Sequence, residues 1–242
     1  MRLDVYITER ALAQSRARAK SFIESGAVSV DGMVVTKPSY EVDPEVNKVT
    51  VDTSAEKFVS RGGLKLEGAL DHFDIDVVGR SAIDVGASSG GFTDCLLKRG
   101  AKRVLAVDSG TGQLVRSLAE DPRVISFEKF NAKLMTPADL PFVPDLAVMD
   151  VSFISARLII PAVYACLAEN SDFVCLMKPQ FEVGRSGVGK GGIVKDARLR
   201  ARAVADVTEC AASVGFSNLG VMESPIKGGD GNIEFLAHFK KL

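Results

Sequence analysis

The chain has few of the residues that make metal and disulfide chemistry: two histidines and four cysteines in 242 residues. Cys95, Cys166, Cys175 and Cys210 are far apart, form no C-x-x-C pair and sit among apolar neighbours, with only His72 and His238 to assist them. That pattern argues against zinc sites and a disulfide framework and points to buried thiols. Long apolar runs are also missing. Nothing approaches the roughly 18–20 uninterrupted apolar residues of a membrane-spanning helix, and the opening MRLDVYITER has acidic residues where a signal peptide carries its apolar core. A cytoplasmic protein using neither membrane nor metal is expected. The formal net charge is only −1, so no charge excess advertises a nucleic-acid partner, although a balanced total can hide local basic patches.

What is present is a large apolar share, 46% of the residues, enough for one large domain and a small one. The charges are unevenly spread. Arg10, Arg16, Arg18 and Lys20 follow one another with no acid between Glu9 and Glu24; Arg185, Lys190, Lys195, Arg198, Arg200 and Arg202 form a second basic run interrupted only by Asp196. Inside that second run, GRSGVGKG (184–191) resembles a phosphate-binding P-loop. The likeness fails on two points. The residue after the lysine must be Ser or Thr to hold magnesium, and here it is Gly191. A helix must also open at the lysine, whereas Gly191 and Gly192 follow and the helical pattern resumes only near Asp196. A mobile loop without triphosphatase activity is expected, with Arg185 and Lys190 available to RNA phosphates.

In the first sixty residues, Ser15 is a fair N-cap, after which Ala19, Phe22 and Ile23 form an inward stripe with Arg16 and Lys20 on a neighbouring edge. Gly26 stops that helix, and AVSVDGMVV alternates around Asp31-Gly32, a strong hairpin signal. The segment from 2 to 42, RLDVYITERALAQSRARAKSFIESGAVSVDGMVVTKPSYEV, resembles the S-four-type (alpha-L) RNA-binding domain. The resemblance implies that Arg16, Arg18 and Lys20 meet phosphates of structured RNA, which is recognised largely by shape and backbone. A small α+β domain over residues 1–50 and a polar linker over 51–60 are therefore expected.

Residues 61–242 alternate apolar runs with helical stretches: SAIDVGAS, RVLAVDSG, VISFEKF, DLAVMDVS, DFVCLMKP and IEFLAHFK are separated by segments such as ARLIIPAVYACLAE and ARLRARAVADVTECAASVG. This predicts an α/β fold with a Rossmann-like doubly wound sheet, whose ligands bind at the carboxyl ends of the strands. The first strand runs into Asp84, Gly86, Ser88, Gly90 and Gly91 (DVGASSGG), a spacing unlike the G-x-G-x-x-G of dinucleotide binders. The second strand ends at Asp108, whose carboxylate can accept both hydroxyls of a ribose. Glycines that admit backbone close to a ligand, together with that acid, suit S-adenosylmethionine (SAM).

Four further polar residues fall where such a fold places its site: Lys65, Asp150, Lys178 and Glu234. A ribose 2′-hydroxyl is a poor nucleophile, so its methylation calls for a base and for alignment of oxygen, methyl carbon and sulfur. Lys178 is the expected base, oriented by Glu234, with Asp150 organising the lysines and Lys65 assisting at the hydroxyl. This set, with FVSRGGLKL ahead of the glycine motif, resembles the FtsJ-like ribose 2′-O-methyltransferases. Together with the N-terminal segment and the stretches SRGGLKL, DVGASSGGFTDCLL and KPQFEVG, the chain is similar to the TlyA (hemolysin A) family. The resemblance implies SAM-dependent 2′-O-methylation of cytidine in ribosomal RNA, with ribosomal RNA or subunits as partners and Asn131 near the cofactor adenine. Two other readings stand beside it: an RNA-binding assembly factor that only senses SAM, and a membrane-active hemolysin.

Overall fold

The computed structural model describes residues 1–13, 15–52 and 57–242, the side chains of Ala17, Arg18, Ser21 and Arg185 excepted. The chain divides into two compact units, Met1–Arg61 and Gly62–Leu242.

In the first unit, helices α1 (Leu3–Glu9) and α2 (Arg16–Glu24) accompany a small antiparallel sheet of β1 (Val28–Val30), β2 (Met33–Val34) and β3 (Val49–Val51), in the order β2-β1-β3. Ala19, Phe22 and Ile23 of α2 are buried with Leu3, Ile7 and Val28 in one core, as their helical spacing predicts. Asp31 and Gly32 both have positive φ, +50° and +80°, and close the β1–β2 hairpin in two residues. Turns of that kind match the twist of the flanking strands. The expected linker begins too early at residue 51: Val51 pairs with Val28 in β3, and the Arg61 guanidinium donates to the Gly26 carbonyl at 2.6 Å. Thr53–Glu56, within the same expected linker, lie outside the described residues.

The second unit is a seven-stranded sheet covered by helices. Its strands are β4 (Ser81–Val85), β5 (Arg103–Val107), β6 (Val124–Phe127), β7 (Leu146–Met149), β8 (Ser171–Met177), β9 (Phe216–Glu223) and β10 (Phe235–Lys241). Their order is β6-β5-β4-β7-β8-β10-β9, parallel through β8 and antiparallel at β10 and β9. The helices are α3 (Gly62–His72), α4 (Gly91–Lys98), α5 (Arg116–Ala119), α6 (Ile160–Cys166), α7 (Pro179–Glu182) and α8 (Ala197–Val214). Strands β4, β7 and β8 are buried along their whole length, which is why they read as unbroken apolar runs. Six strands were expected; β9 is the seventh. It forms one edge of the sheet, is mostly half-buried or exposed, and contains Asn218 and Gly220, weak strand formers. Helix α6 is shorter than its sequence pattern because Pro161 fits only a first turn. Among the described residues no helix is long and apolar enough to cross a membrane.

The two ends of the parallel strands differ in character. At the amino ends, Arg80 donates to both Asp145 and Asp172, while His238 and Lys240 of β10 reach Asp172 at 2.9 and 3.0 Å. Burial pushes the Asp172 carboxyl up, but the hydrogen bonds from His238, Lys240 and Arg80 outweigh it and hold it well below the usual carboxylate range. At the carboxyl ends lie the glycine turn and the four candidate catalytic residues.

Candidate active site

The turn after β4 is built on positive φ angles at Gly86 (+88°), Ser88 (+48°) and Gly90 (+97°). A side chain at Gly86 would collide with the backbone carbonyl of Asp150, so only glycine lets β4 and β7 leave the sheet this close together. The backbone N–H of Ser88 donates to Asp108 Oδ2 at 2.8 Å, and that of Gly110 donates to Oδ1 at 2.7 Å. Two amides thus fix the carboxylate, and each oxygen keeps a lone pair for a further donor. A cavity of about 350 Å³ opens here, lined by Gly86, Ser88, Asp108, Asn131, Asp150 and Ser152 among others. It falls within the range of about 300–1,000 Å³ of small-molecule sites. The rigid acid, the close backbone and the adjoining apolar wall of Val107, Phe130 and Ile159 fit a nucleoside-bearing cofactor.

The other motif residues, Asp84, Gly90 and Gly91, are not among those that line this cavity. Gly90 packs against Leu114 and Leu118, and Gly91 is buried in the first turn of α4. Asp84 is fully buried: its Oδ2 accepts from the Thr93 hydroxyl at 2.6 Å, and its other oxygen meets no donor among the described residues. Burial, opposed by the Thr93 hydrogen bond and reinforced by the charge of Asp150, pushes its carboxyl up to about 7.

The four candidate catalytic residues form two ion pairs. Lys65, on α3, meets Glu234 at 2.5 Å, both nearly inaccessible to solvent. Lys178, directly after β8, meets Asp150, directly after β7, at 2.5 Å, and its Nζ donates to the Ser152 hydroxyl at 2.7 Å. Glu234 was expected to orient Lys178; its partner is Lys65, and Asp150 holds Lys178. The reason lies in the packing. Helix α3 contacts β10 and delivers Lys65 to Glu234, while β7 and β8 are adjacent parallel strands that end side by side. The pairs are still neighbours, since Met177 and Phe235 face each other across β8 and β10, one residue before Lys178 and one after Glu234. Gln180 adds a long hydrogen bond, 3.4 Å, to Glu234.

The loop after α7 contains short turns at Arg185–Gly187 and Lys190–Gly192, and α8 opens only at Ala197, capped by Asp196. No α-helix starts at Lys190, which is exposed. Buried Asn232 anchors the far end of this loop, accepting from the Val194 N–H at 3.0 Å and donating to the Gly192 carbonyl at 2.9 Å. In the first unit Arg16 reaches Asp4 at 2.9 Å and Lys20 lies 3.6 Å from Glu24, both remaining largely exposed. Hydrogen bonds from Arg2, and then from Arg16, outweigh burial and hold the Asp4 carboxyl down at about 2. Ser152, Asn232 and Glu182, which binds the loop after β7, were not singled out from the sequence, where single polar residues in loops carry no signal of their partners. Phe153 was missed too: the residue is 92% exposed, its φ is +64°, and its ring centroid lies 5.3 Å from that of Phe181. Among the described residues no group of three or more His, Cys, Asp or Glu side chains is arranged to hold a metal ion.

The family model of FtsJ-like methyltransferases matches residues 58–241, and that of the S4 domain matches residues 1–47. The 16S/23S rRNA (cytidine-2′-O)-methyltransferase TlyA of Mycobacterium tuberculosis is 45% identical over 97% of this chain and 87% of that protein. A solved structure described as a putative hemolysin from Streptococcus thermophilus is 43% identical, superposes with a TM-score of 0.79, and covers 100% of this chain and 88% of that one. A structure described as a putative S-adenosylmethionine dependent methyltransferase from Listeria monocytogenes is 17% identical, with a TM-score of 0.54 over 74% of this chain and all of that one, and it shares the fold alone. By the match of its second unit to the FtsJ-like model and its likeness to TlyA along nearly its whole length, the chain belongs to the FtsJ-like methyltransferases, in the group that also carries an N-terminal S4 domain.

Proposed function

We propose that this protein transfers the methyl group of SAM to the 2′-hydroxyl of a cytidine in ribosomal RNA, acting in the cytoplasm. The observation that carries the reading is the Lys178–Asp150 pair, in which the carboxylate lines the cofactor cavity while the lysine stands beside it. Asp108 would hold the cofactor ribose, Gly86 and Ser88 would leave room for the methionine part, and Asn131 would lie by the adenine. SAM supplies an electrophilic methyl group when bound. Lys178, in its neutral amine form, takes the proton of the attacking hydroxyl as the methyl passes from the SAM sulfur to that oxygen, and Asp150 pairs with the ammonium so formed while Ser152 fixes where its Nζ stands. Lys65, held by Glu234, assists in placing the hydroxyl. Phosphate contacts from Arg16, Arg18 and Lys20, and from Arg185 and Lys190 in the loop before α8, would orient the RNA.

The test is transfer of labelled methyl from SAM to ribosomal RNA and to subunits isolated from cells lacking the protein, followed by nucleoside analysis. Label in 2′-O-methylcytidine is the expected result. Label on a base overturns the lysine mechanism, and tight SAM binding without any labelled RNA favours a sensor.

A further inference from the structure

We propose that Glu182 is a positioning residue for methyl transfer, acting through the loop after β7 to keep Ser152 against Lys178; this rests on the reading of Lys178 as the group that takes the hydroxyl proton.

Glu182 ends the four-residue helix α7, and its side chain is 2% exposed. Its Oε1 accepts from the backbone N–H of Ala156 at 2.7 Å. Its Oε2 accepts from the Ser155 hydroxyl at 2.5 Å and from Arg157 Nε at 3.2 Å. All three donors belong to consecutive residues of one loop. Five residues before Ser155 is Asp150, and three before it is Ser152, the two groups that hold Lys178 Nζ. Lys178 itself is the residue immediately before α7.

The two segments are therefore joined twice. At one end Lys178 reaches back to Asp150 and Ser152; at the other, Glu182 reaches back to Ser155, Ala156 and Arg157. Between the joins, Phe153 adopts a φ of +64°, in a region that side chains other than glycine rarely enter. A residue held there persists only where its surroundings over-determine it. Ser152, next to that strained residue, would be free to turn its hydroxyl away from Lys178 if the loop relaxed. A buried carboxylate with three donors on one loop supplies the constraint. The chemistry depends on it because the lysine must present its nitrogen in one direction, and a displacement of an ångström at such a site lowers turnover steeply.

The experiment compares the full chain with Glu182→Gln, which keeps the size and one acceptor but places an NH2 group against the donors of the loop. Thermal unfolding, kcat and KM for RNA and SAM, and the rate at which acetic anhydride acetylates Lys178, read by mass spectrometry, are measured on each. The expected result is a kcat lower by about 10- to 100-fold, with KM for SAM little changed. Lys178 should be acetylated about 3- to 10-fold faster, the ratio one hydrogen bond is worth. A folded variant with wild-type kcat and wild-type acetylation overturns the proposal, and a fall in melting temperature alone marks a purely structural carboxylate. If Glu182→Gln does not fold, the double variant Ser155→Ala, Arg157→Gln removes two of the three contacts and is expected to move both readouts the same way. The acetylation needs no RNA, so it tests the clamp even if the methylation assay contradicts the proposed function.

Discussion

The two ends of the central sheet treat charge in opposite ways. At the amino ends, Asp172 meets three side chains, Arg80, His238 and Lys240, Arg80 is shared between two acids, and Ser81 contributes its N–H to Asp145. At the carboxyl ends, charges stand in separate pairs, Asp84 has an oxygen without a donor among the described residues, and the backbone is bent through positive φ at Gly86, Ser88, Gly90 and Phe153. A satisfied network ties strands together; at the other end Asp108, held by two amides, keeps lone pairs for a ligand. The same strands β4, β7 and β8 thus carry stability at one end and chemistry at the other.

Substitutions at each end should separate these roles. The largest effect is expected from Lys178→Ala: methyl transfer falls by about 10²- to 10⁴-fold, while SAM binding by calorimetry and the melting temperature stay close to wild type. A variant that keeps its turnover would remove Lys178 from the mechanism. Next is Asp172→Ala at the opposite end, which leaves Arg80, His238 and Lys240 without their common acid and should cost about 3–5 kcal/mol in denaturant unfolding. The folded fraction is expected to keep its kcat, and a drop in kcat without loss of stability would abolish the division of labour.

The smallest effect concerns Asp84. Its folded-state pKa of about 7 lies above the ordinary 3.8, so between these values the folded chain keeps a proton that the unfolded chain releases. Stability contributed by this group is therefore complete below about pH 4 and is lost as pH rises toward about 7. Asp84→Asn removes the titration, and its melting temperature relative to wild type should climb with pH across that window. A constant difference between pH 4 and 8 would mean that Asp84 is ionised in the folded state.

Legibility followed the range of the interactions. The Asp31-Gly32 hairpin and the α2 stripe were readable because turn chemistry and helical period are local properties. The parallel strands were readable because both faces are buried. Strand β9 was not, because an edge strand with Asn218 and Gly220 lacks both signals. That Lys65, Asp150, Lys178 and Glu234 come near one another was readable from their places along the chain, but their pairing was not, since it depends on how α3 packs against β10. The roles of Glu182 and Asn232 were hidden for the same reason: each is defined by a partner 26 to 40 residues away.

Strand β10 runs antiparallel beside β8 and brings Glu234 back to a site whose other members precede it in the chain. In the order of synthesis, the counter-charge for Lys65 is thus delivered after all its companions. A nascent chain interrupted before Glu234 and β10 would already contain the glycine turn and Asp108, yet would leave Lys65 without Glu234 and β8 without its antiparallel neighbour. On the proposed mechanism, competence for catalysis is in this way tied to completion of the sheet.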